Sequence, residues 1–227
     1  MKKVLVTGGN KGIGKACCQM LLEKYPDVHV LLGSRDASRG SQAVQDIEKA
    51  VGQDKCQGRL DMVLVDTSSD ESVATAAASV QGPLYGIINN AGIISGDLSQ
   101  IVNVNYLGPR RLTDAFLSKV QRPGGRIVNV CSASGPMFVA ACADKALVQK
   151  LSEPWTVQGG IAELDGIAKE PEKYAGDGAS YGHYGFSKAL LTAYTWILAK
   201  EQPDLIINSV TPGYVYFGHI LFLRAKE

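Results

Sequence analysis

The sequence predicts an α/β protein built on a doubly wound parallel sheet of six strands, and three observations carry that prediction. Short runs rich in Val, Ile and Leu recur along the chain, segments long enough for crossover helices separate them, and the first run opens directly into a glycine-rich turn. Near-continuous apolar runs suit strands buried on both faces. Their strict alternation with helical segments implies parallel β-α-β units with right-handed connections.

The first run, Val4-Leu5-Val6, halts at Thr7-Gly8, and residues 14–26 supply the first helix. The second run, 28–32, stops before Ser34-Arg35-Asp36 and is followed by a helical segment at 38–51. The third, 62–65, is closed by Asp66-Thr67 and leads to a helix at 70–79. The fourth, 84–88, is closed by Asn89-Asn90-Ala91-Gly92 and leads to a long helical segment at 98–120. Pro109 falls inside that segment. It has no N–H, so the helical bond to the carbonyl of Asn105 cannot form, which releases that carbonyl for a water or else marks a kink or an early helix end.

The fifth run, 127–130, reaches Cys131-Ser132, and there the rhythm breaks. Residues 136–182 read as a helical insertion over one end of the sheet, with partly amphipathic stretches at 144–158 and 162–174 and a glycine-rich hinge at 176–182. A helix at 186–200 then leads to the sixth run, 205–210. No seventh strand is expected. The apolar residues 220–223 lie too close to the sixth run for a parallel crossover, which takes a dozen or more residues. They are expected to cover the sheet edge, to pack as a terminal helix, or to make a dimer through that edge.

With 227 residues, 45% of them hydrophobic, the chain is read as a single domain spanning 1–227 with one core, able to bury roughly 70% of its unfolded surface. Disorder and collagen are excluded. The 23 basic and 22 acidic residues leave a net charge of +1, so no global field draws the protein to nucleic acid or to an acidic membrane. Five cysteines without C-x-x-C pairing suit buried thiols in a reducing compartment better than disulfides or a structural metal. The apolar run after Met1 is too short for a signal peptide, and no stretch approaches a membrane span of roughly 18 to 20 residues. A soluble cytoplasmic protein is the expectation.

Thr7-Gly8-Gly9-Asn10-Lys11-Gly12-Ile13-Gly14 lies between the first strand and the first helix, the context a dinucleotide fingerprint needs. Glycines at 8, 12 and 14 permit a tight turn and a close approach to a pyrophosphate, while unpaired N–H groups at the helix start face the anion. Gly8, Asn10, Lys11, Gly12, Ile13 and Gly14 are therefore candidate cofactor residues, the alternative being an ordinary glycine turn. The G-x-x-x-G-x-G spacing after a threonine resembles the short-chain dehydrogenase/reductase family. That resemblance implies a Rossmann sheet binding NAD or NADP.

Where enzymes that use NAD place an acid for the ribose 2′-hydroxyl, Arg35 comes first here. Together with Lys11 it would clasp a 2′-phosphate, favouring NADP(H), although Asp36 stands next to it. The resemblance puts Asp66 against the adenine amino group, with a backbone contact at Thr67. It matches Asn89-Asn90-Ala91-Gly92 to the family's N-N-A-G, so that Asn90, Ala91 and Gly92 border the cofactor, and it extends to Pro212 and Val215 beyond the sixth strand.

Tyr184 and Lys188 form the only Y-x-x-x-K in the sequence, a spacing that puts both on one helical face. An ammonium near a phenol lowers its pKa, so the pair is expected to serve as a general acid. By resemblance, Ser132 holds the substrate carbonyl, with Ser134 as its understudy. Asn105 takes the catalytic asparagine position, whose water relays protons to the active-site lysine.

The 52 positions between Ser132 and Tyr184 make the chain similar to the monomeric NADPH-dependent carbonyl reductases. In that branch the insert covers the helices that other members use to dimerise, and here Met137, Phe138, Val139 and Trp155 are apolar residues suited to a hydrophobic pocket wall. The loop between Gly92 and Asn105 is shorter than that branch usually has, so the start of the next helix must be rebuilt. The expected activity is NADPH-dependent reduction of a ketone, aldehyde or quinone carbonyl by a monomer. The alternative is an NADP(H)-binding protein with little or no turnover, because Tyr216-Phe217-Gly218-His219 replaces the family's nicotinamide clamp. An epimerase acting on nucleotide sugars is a third reading, disfavoured by the short C-terminal region, and nucleic-acid binding has no basic patch to support it.

Overall fold

A computed structural model describes residues 1–156, 158–175 and 182–213. The first half alternates strand and helix: β1 (Lys2–Val6), α1 (Gly12–Lys24), β2 (Val28–Ser34), α2 (Ala37–Val51), the single turn α3 (Gln53–Cys56), β3 (Leu60–Leu64) and α4 (Asp70–Ser79). Then come β4 (Gly86–Asn89), α5 (Leu98–Val102), α6 (Gly108–Phe116) and β5 (Arg126–Val130). The insertion folds as α7 (Ser134–Ala141), α8 (Lys145–Ser152), α9 (Ile161–Lys169) and α10 (Pro171–Ala175), ahead of α11 (Gly182–Glu201) and β6 (Ile206–Val210).

All six strands pair in parallel, in the order β3-β2-β1-β4-β5-β6. The order reverses between β1 and β4, and a doubly wound sheet opens its ligand crevice at the carboxyl ends on either side of such a reversal. Successive residues of β1 serve opposite faces. Val4 and Val6 join a core with α1 and α2, while Leu5 joins the larger core built on α4, α6 and α11. This two-sided burial is why the strands read as unbroken apolar runs.

Local signals fix the helix starts. Asp36 caps α2 by accepting from the Arg39 N–H, and Ser69 caps α4 by accepting from Ser72. The short loop after β4 is closed by a capping box in which Asp97 and Gln100 satisfy each other's backbone, so α5 begins only six residues beyond Gly92.

The continuous helix expected over 98–120 is instead broken. Residues Asn103–Leu107 form a π-helical turn in which the Gly108 N–H reaches the Asn103 carbonyl, and Pro109 sits at the start of α6 with no N–H to give to Asn105. Leu84 lies outside β4 and makes only an isolated bridge to Val120.

The insertion departs from the sheet more than expected. Only α7 leaves from the end of β5, and the helices that follow pack on α11, α5 and the π-turn. β6 is the sheet's edge among the described residues, with Ile206 and Val210 44% and 43% exposed. The expectations for 176–181, for Tyr214 and Val215, for Tyr216-Phe217-Gly218-His219 and for 220–223 lie outside the described residues. No helix among the described residues is long and apolar enough to cross a membrane.

Candidate active site

The turn after β1 is built from glycines that admit no side chain. Gly8 and Gly12 adopt φ of +64° and +55°, in the left-handed region that glycine enters without penalty. A Cβ on Gly14 would lie 2.4 Å from both Asn90 Nδ2 and the Gly8 carbonyl oxygen. The Thr7 hydroxyl accepts from the backbone N–H groups of Asn90 and Ala91, both at 3.0 Å, while Asn90 Nδ2 donates to the Thr7 carbonyl at 2.9 Å. Thr7 and Asn90 thereby staple the ends of β1 and β4 together across the reversal of strand order.

Helix α1 starts at Gly12 behind Lys11, with no side-chain cap and no acid in its first turn. Its first N–H groups are left for an anion, and partly buried Asn10 and Ile13 flank them. Close backbone approach, an uncapped helix start and the absence of an acid together fit a dinucleotide pyrophosphate.

Farther along the strand ends, Arg35 and Lys11 are exposed and form no ion pair among the described residues. Asp36 is committed elsewhere: it accepts from the Arg39 N–H at 2.9 Å and from the Ser38 hydroxyl at 2.7 Å, and these bonds hold its carboxyl below the usual range. One Asp66 oxygen accepts from the Ser68 N–H and hydroxyl at 2.9 and 2.6 Å, and the Thr67 carbonyl accepts from Arg111 at 2.7 Å. These contacts fix the turn that closes β3.

Tyr184 and Lys188 lie one turn apart on α11, with Lys188 Nζ 5.7 Å from the phenol ring centroid. Lys188 is only 4% exposed and donates to the Val130 carbonyl at 2.7 Å. Burial pulls its pKa from 10.5 down to about 8. The expectation that the ammonium lowers the phenol is not met. Burial pushes the Tyr184 pKa up, the Ser132 hydroxyl opposes this by less, and the Lys188 amine is turned onto Val130. The physical consequence is a phenol held protonated, the form a proton donor needs.

Ser132 follows β5, and its hydroxyl accepts from the Ser134 N–H at 3.2 Å, with the Ser134 hydroxyl 3.3 Å away. Asn105 is fully buried on the π-turn. Its carboxamide clasps Ile93 from both sides, with Oδ1 accepting from the Ile93 N–H and Nδ2 donating to the Ile93 carbonyl, each at 2.8 Å. Nδ2 also reaches Ser187 Oγ at 3.1 Å. A Cβ on Gly92 would sit 3.2 Å from Asn105 Oδ1 and 3.7 Å from Lys188 Nζ, so a residue with no side chain separates the amide from the amine.

Asn105 and Lys188 thus flank Gly92, Tyr184 lies one turn from Lys188 with the Ser132 hydroxyl in hydrogen-bonding reach, and Gly92 follows the Asn90-Ala91 segment that Thr7 staples to the glycine turn. Pro212 is exposed beyond β6. Of the four residues expected to line an apolar wall, Met137 and Trp155 are 44% and 49% exposed, while Phe138 and Val139 pack against the body. Phe138 is buried edge-on against Phe186 with centroids 5.4 Å apart, Trp155 lies 5.5 Å from Trp196, and Val139 joins the larger core.

Sequence reasoning did not assign Thr7, Ser187, or the buried chain in which Asn89 donates to Thr113 at 3.2 Å and to Asn129 at 2.8 Å, and Asn129 donates to Thr195 at 2.8 Å. Asparagine at register-paired positions of two otherwise apolar strands was the available signal for that chain.

The family profile described as short chain dehydrogenase matches residues 2–160. The chain is 30% identical to (+)-neomenthol dehydrogenase of Arabidopsis thaliana, over 93% of this chain and 82% of that protein. It is 27% identical to carbonyl reductase [NADPH] 1 of Homo sapiens, over 93% and 80%. Among solved structures, menthone neomenthol reductase from Mentha piperita superposes with a TM-score of 0.80 at 25% identity, covering 93% of this chain and 89% of that one.

Proposed function

The chain belongs to the short-chain dehydrogenase family of oxidoreductases, and from that premise we propose that it reduces the carbonyl of a ketone, aldehyde or quinone with NADPH, Tyr184 acting as general acid. The observation that carries this reading is that Asn105 and Lys188 flank Gly92, with Tyr184 one turn from Lys188 and Ser132 in reach of its phenol, beside a glycine turn shaped for a pyrophosphate.

NADPH, when bound, supplies a hydride for the carbonyl carbon. The protein's part is to position the substrate and to manage one proton. Ser132 orients the carbonyl oxygen by hydrogen bonding, and Tyr184, kept protonated by burial, gives its proton to that oxygen as negative charge develops there. Lys188, whose amine lies 5.7 Å from the phenol ring, would return a proton to it, drawn from solvent through a water held by the Asn105 backbone carbonyl. Asp66 and Thr67 would border the adenine, and Asn90, Ala91 and Pro212 would complete the cofactor's surroundings.

Preference for NADPH over NADH is supported by exposed Arg35 and Lys11, and by the engagement of Asp36 in capping α2. The human relative, carbonyl reductase [NADPH] 1, points the same way. A monomer in a reducing compartment fits the insertion on α11 and the five free cysteines.

The test compares wild type with Tyr184→Phe, following loss of NADPH absorbance with quinones and aromatic ketones and NADPH binding by fluorescence. Turnover is expected to fall about 100-fold or more, with the NADPH dissociation constant largely kept. Unchanged turnover in Tyr184→Phe would remove the assignment, and tight NADPH binding by a wild type that oxidises none of it would support the binding-only reading.

A further inference from the structure

Ser187 is fully buried between Tyr184 and Lys188 and uses both capacities of its hydroxyl. Its proton goes to the Tyr184 carbonyl at 2.8 Å, and its oxygen accepts from Asn105 Nδ2 at 3.1 Å. Asn105 in turn holds both backbone groups of Ile93, the residue after Gly92. One hydroxyl and one carboxamide therefore join three segments of separate origin: the first two turns of α11, the π-turn ahead of α6, and the loop after β4.

Pro109 removes the ordinary helical donor to the Asn105 carbonyl, so the helix around Asn105 is loosened where its side chain must be aimed. With the helical ladder widened, the π-turn is held to α11 and α9 through Tyr106, which packs on Tyr194 and donates to Asp165, and the side-chain joint fixes the aim of the Asn105 carboxamide itself.

We propose that Ser187 is a positioning residue for the reaction, fixing the first two turns of α11 against Asn105 and the Gly92–Ile93 loop so that phenol, amine and amide keep one geometry. The proposal rests on the carbonyl-reductase reading of the same site. It goes beyond it by assigning a residue that contacts neither the substrate nor the cofactor in that reading.

Serine fits this place because it is small and supplies one donor and one acceptor. Alanine keeps the fit and removes both bonds, and cysteine keeps them in weakened form. The experiment measures kcat, KM, melting temperature and hydrogen exchange at the Ile93 amide in wild type, Ser187→Cys and Ser187→Ala, with Tyr184→Phe alongside.

The expected result is a graded fall in kcat from Ser through Cys to Ala, reaching about ten-fold, with KM changed little. The same order is expected in the exchange of the Ile93 amide, which is faster when Asn105 loses its outer tether. The amide readout needs no cofactor and reports the joint directly. If Ser187→Ala does not fold, the grade between Ser and Cys in kcat and in exchange carries the test.

A fall in melting temperature with kcat and Ile93 exchange unchanged would overturn the proposal, because Ser187 would then be packing only. Full turnover by Tyr184→Phe would overturn the underlying reading instead. Loss of turnover in Tyr184→Phe with wild-type behaviour in both Ser187 variants would overturn this proposal alone.

Discussion

Lys188 is the residue where burial and charge conflict most. Its amine is enclosed by β5, the Gly92 loop and α11, and its acceptor among the described residues is the neutral Val130 carbonyl, so removal of the ammonium from water outweighs the small opposing effect of Cys131. Folding therefore lowers its pKa from 10.5 to about 8. Between those values the unfolded chain binds more protons than the folded one, so this group's contribution to stability grows as pH rises through that window and is lost as pH falls through about 8. The full effect is on the order of 3 kcal/mol. Buried thiols such as Cys18 and Cys131 titrate with the opposite sign, because burial raises their pKa, so the informative quantity is a difference between proteins. We expect urea unfolding of cofactor-free wild type and Lys188→Met to show the variant gaining relative stability near neutral pH, with that gain shrinking toward pH 10. Parallel pH profiles for the two proteins would show that Lys188 is not held in this way.

At the scale of elements, the position of Lys188 follows from how closely α7 approaches α11. A Cβ on Gly135 would meet the Lys188 carbonyl carbon at 2.9 Å and the Ala189 nitrogen at 3.0 Å, backbone atoms that yield only if a helix moves. Gly135→Ala should cost about 1–3 kcal/mol and weaken the Lys188–Val130 bond, lowering kcat. Gly166, inside α9, has open space around its Cβ position, so Gly166→Ala should stabilise by up to about 1 kcal/mol through helix propensity. Chemical denaturation of the two variants checks the opposite signs, and equal signs would mean that the helix contact is not what Gly135 serves.

The same contrast bears on what could be read from the sequence. The six strands were legible because burial on both faces writes itself into neighbouring residues, and Gly8, Gly12 and Gly14 were legible because a phosphate turn is local. The aim of Asn105 was not, since it depends on Ile93 and Ser187, 12 and 82 positions away. The rise in the Tyr184 pKa was hidden for the same reason: spacing gave the shared face with Lys188, while Val130, on another element, decided where the amine points.

For the whole molecule, the insertion matters through what it covers. Asp165 on α9 accepts from the Tyr106 hydroxyl on the π-turn at 2.6 Å and pairs with Arg110 of α6 at 3.6 Å, while Trp155 and Phe138 pack along α11. The insertion thus bolts the π-turn, α6 and α11 into one surface, and the helix faces it occupies are not free for a second copy, as the proposed monomer requires. The bolt also backs the candidate site, because Tyr106 follows Asn105 directly. Tyr106 is fully buried, so removing its acceptor strands a phenol hydroxyl at a penalty of about 1–3 kcal/mol. Asp165→Ala is accordingly expected to lower the melting temperature by about 2–10 °C while leaving NADPH affinity unchanged, since α1, into which the glycine turn opens, packs in the other core. Sedimentation of the same variant should show self-association appearing as the insertion loosens from α11. A variant that melts like wild type and remains monomeric would show that the insertion is held by its apolar contacts alone.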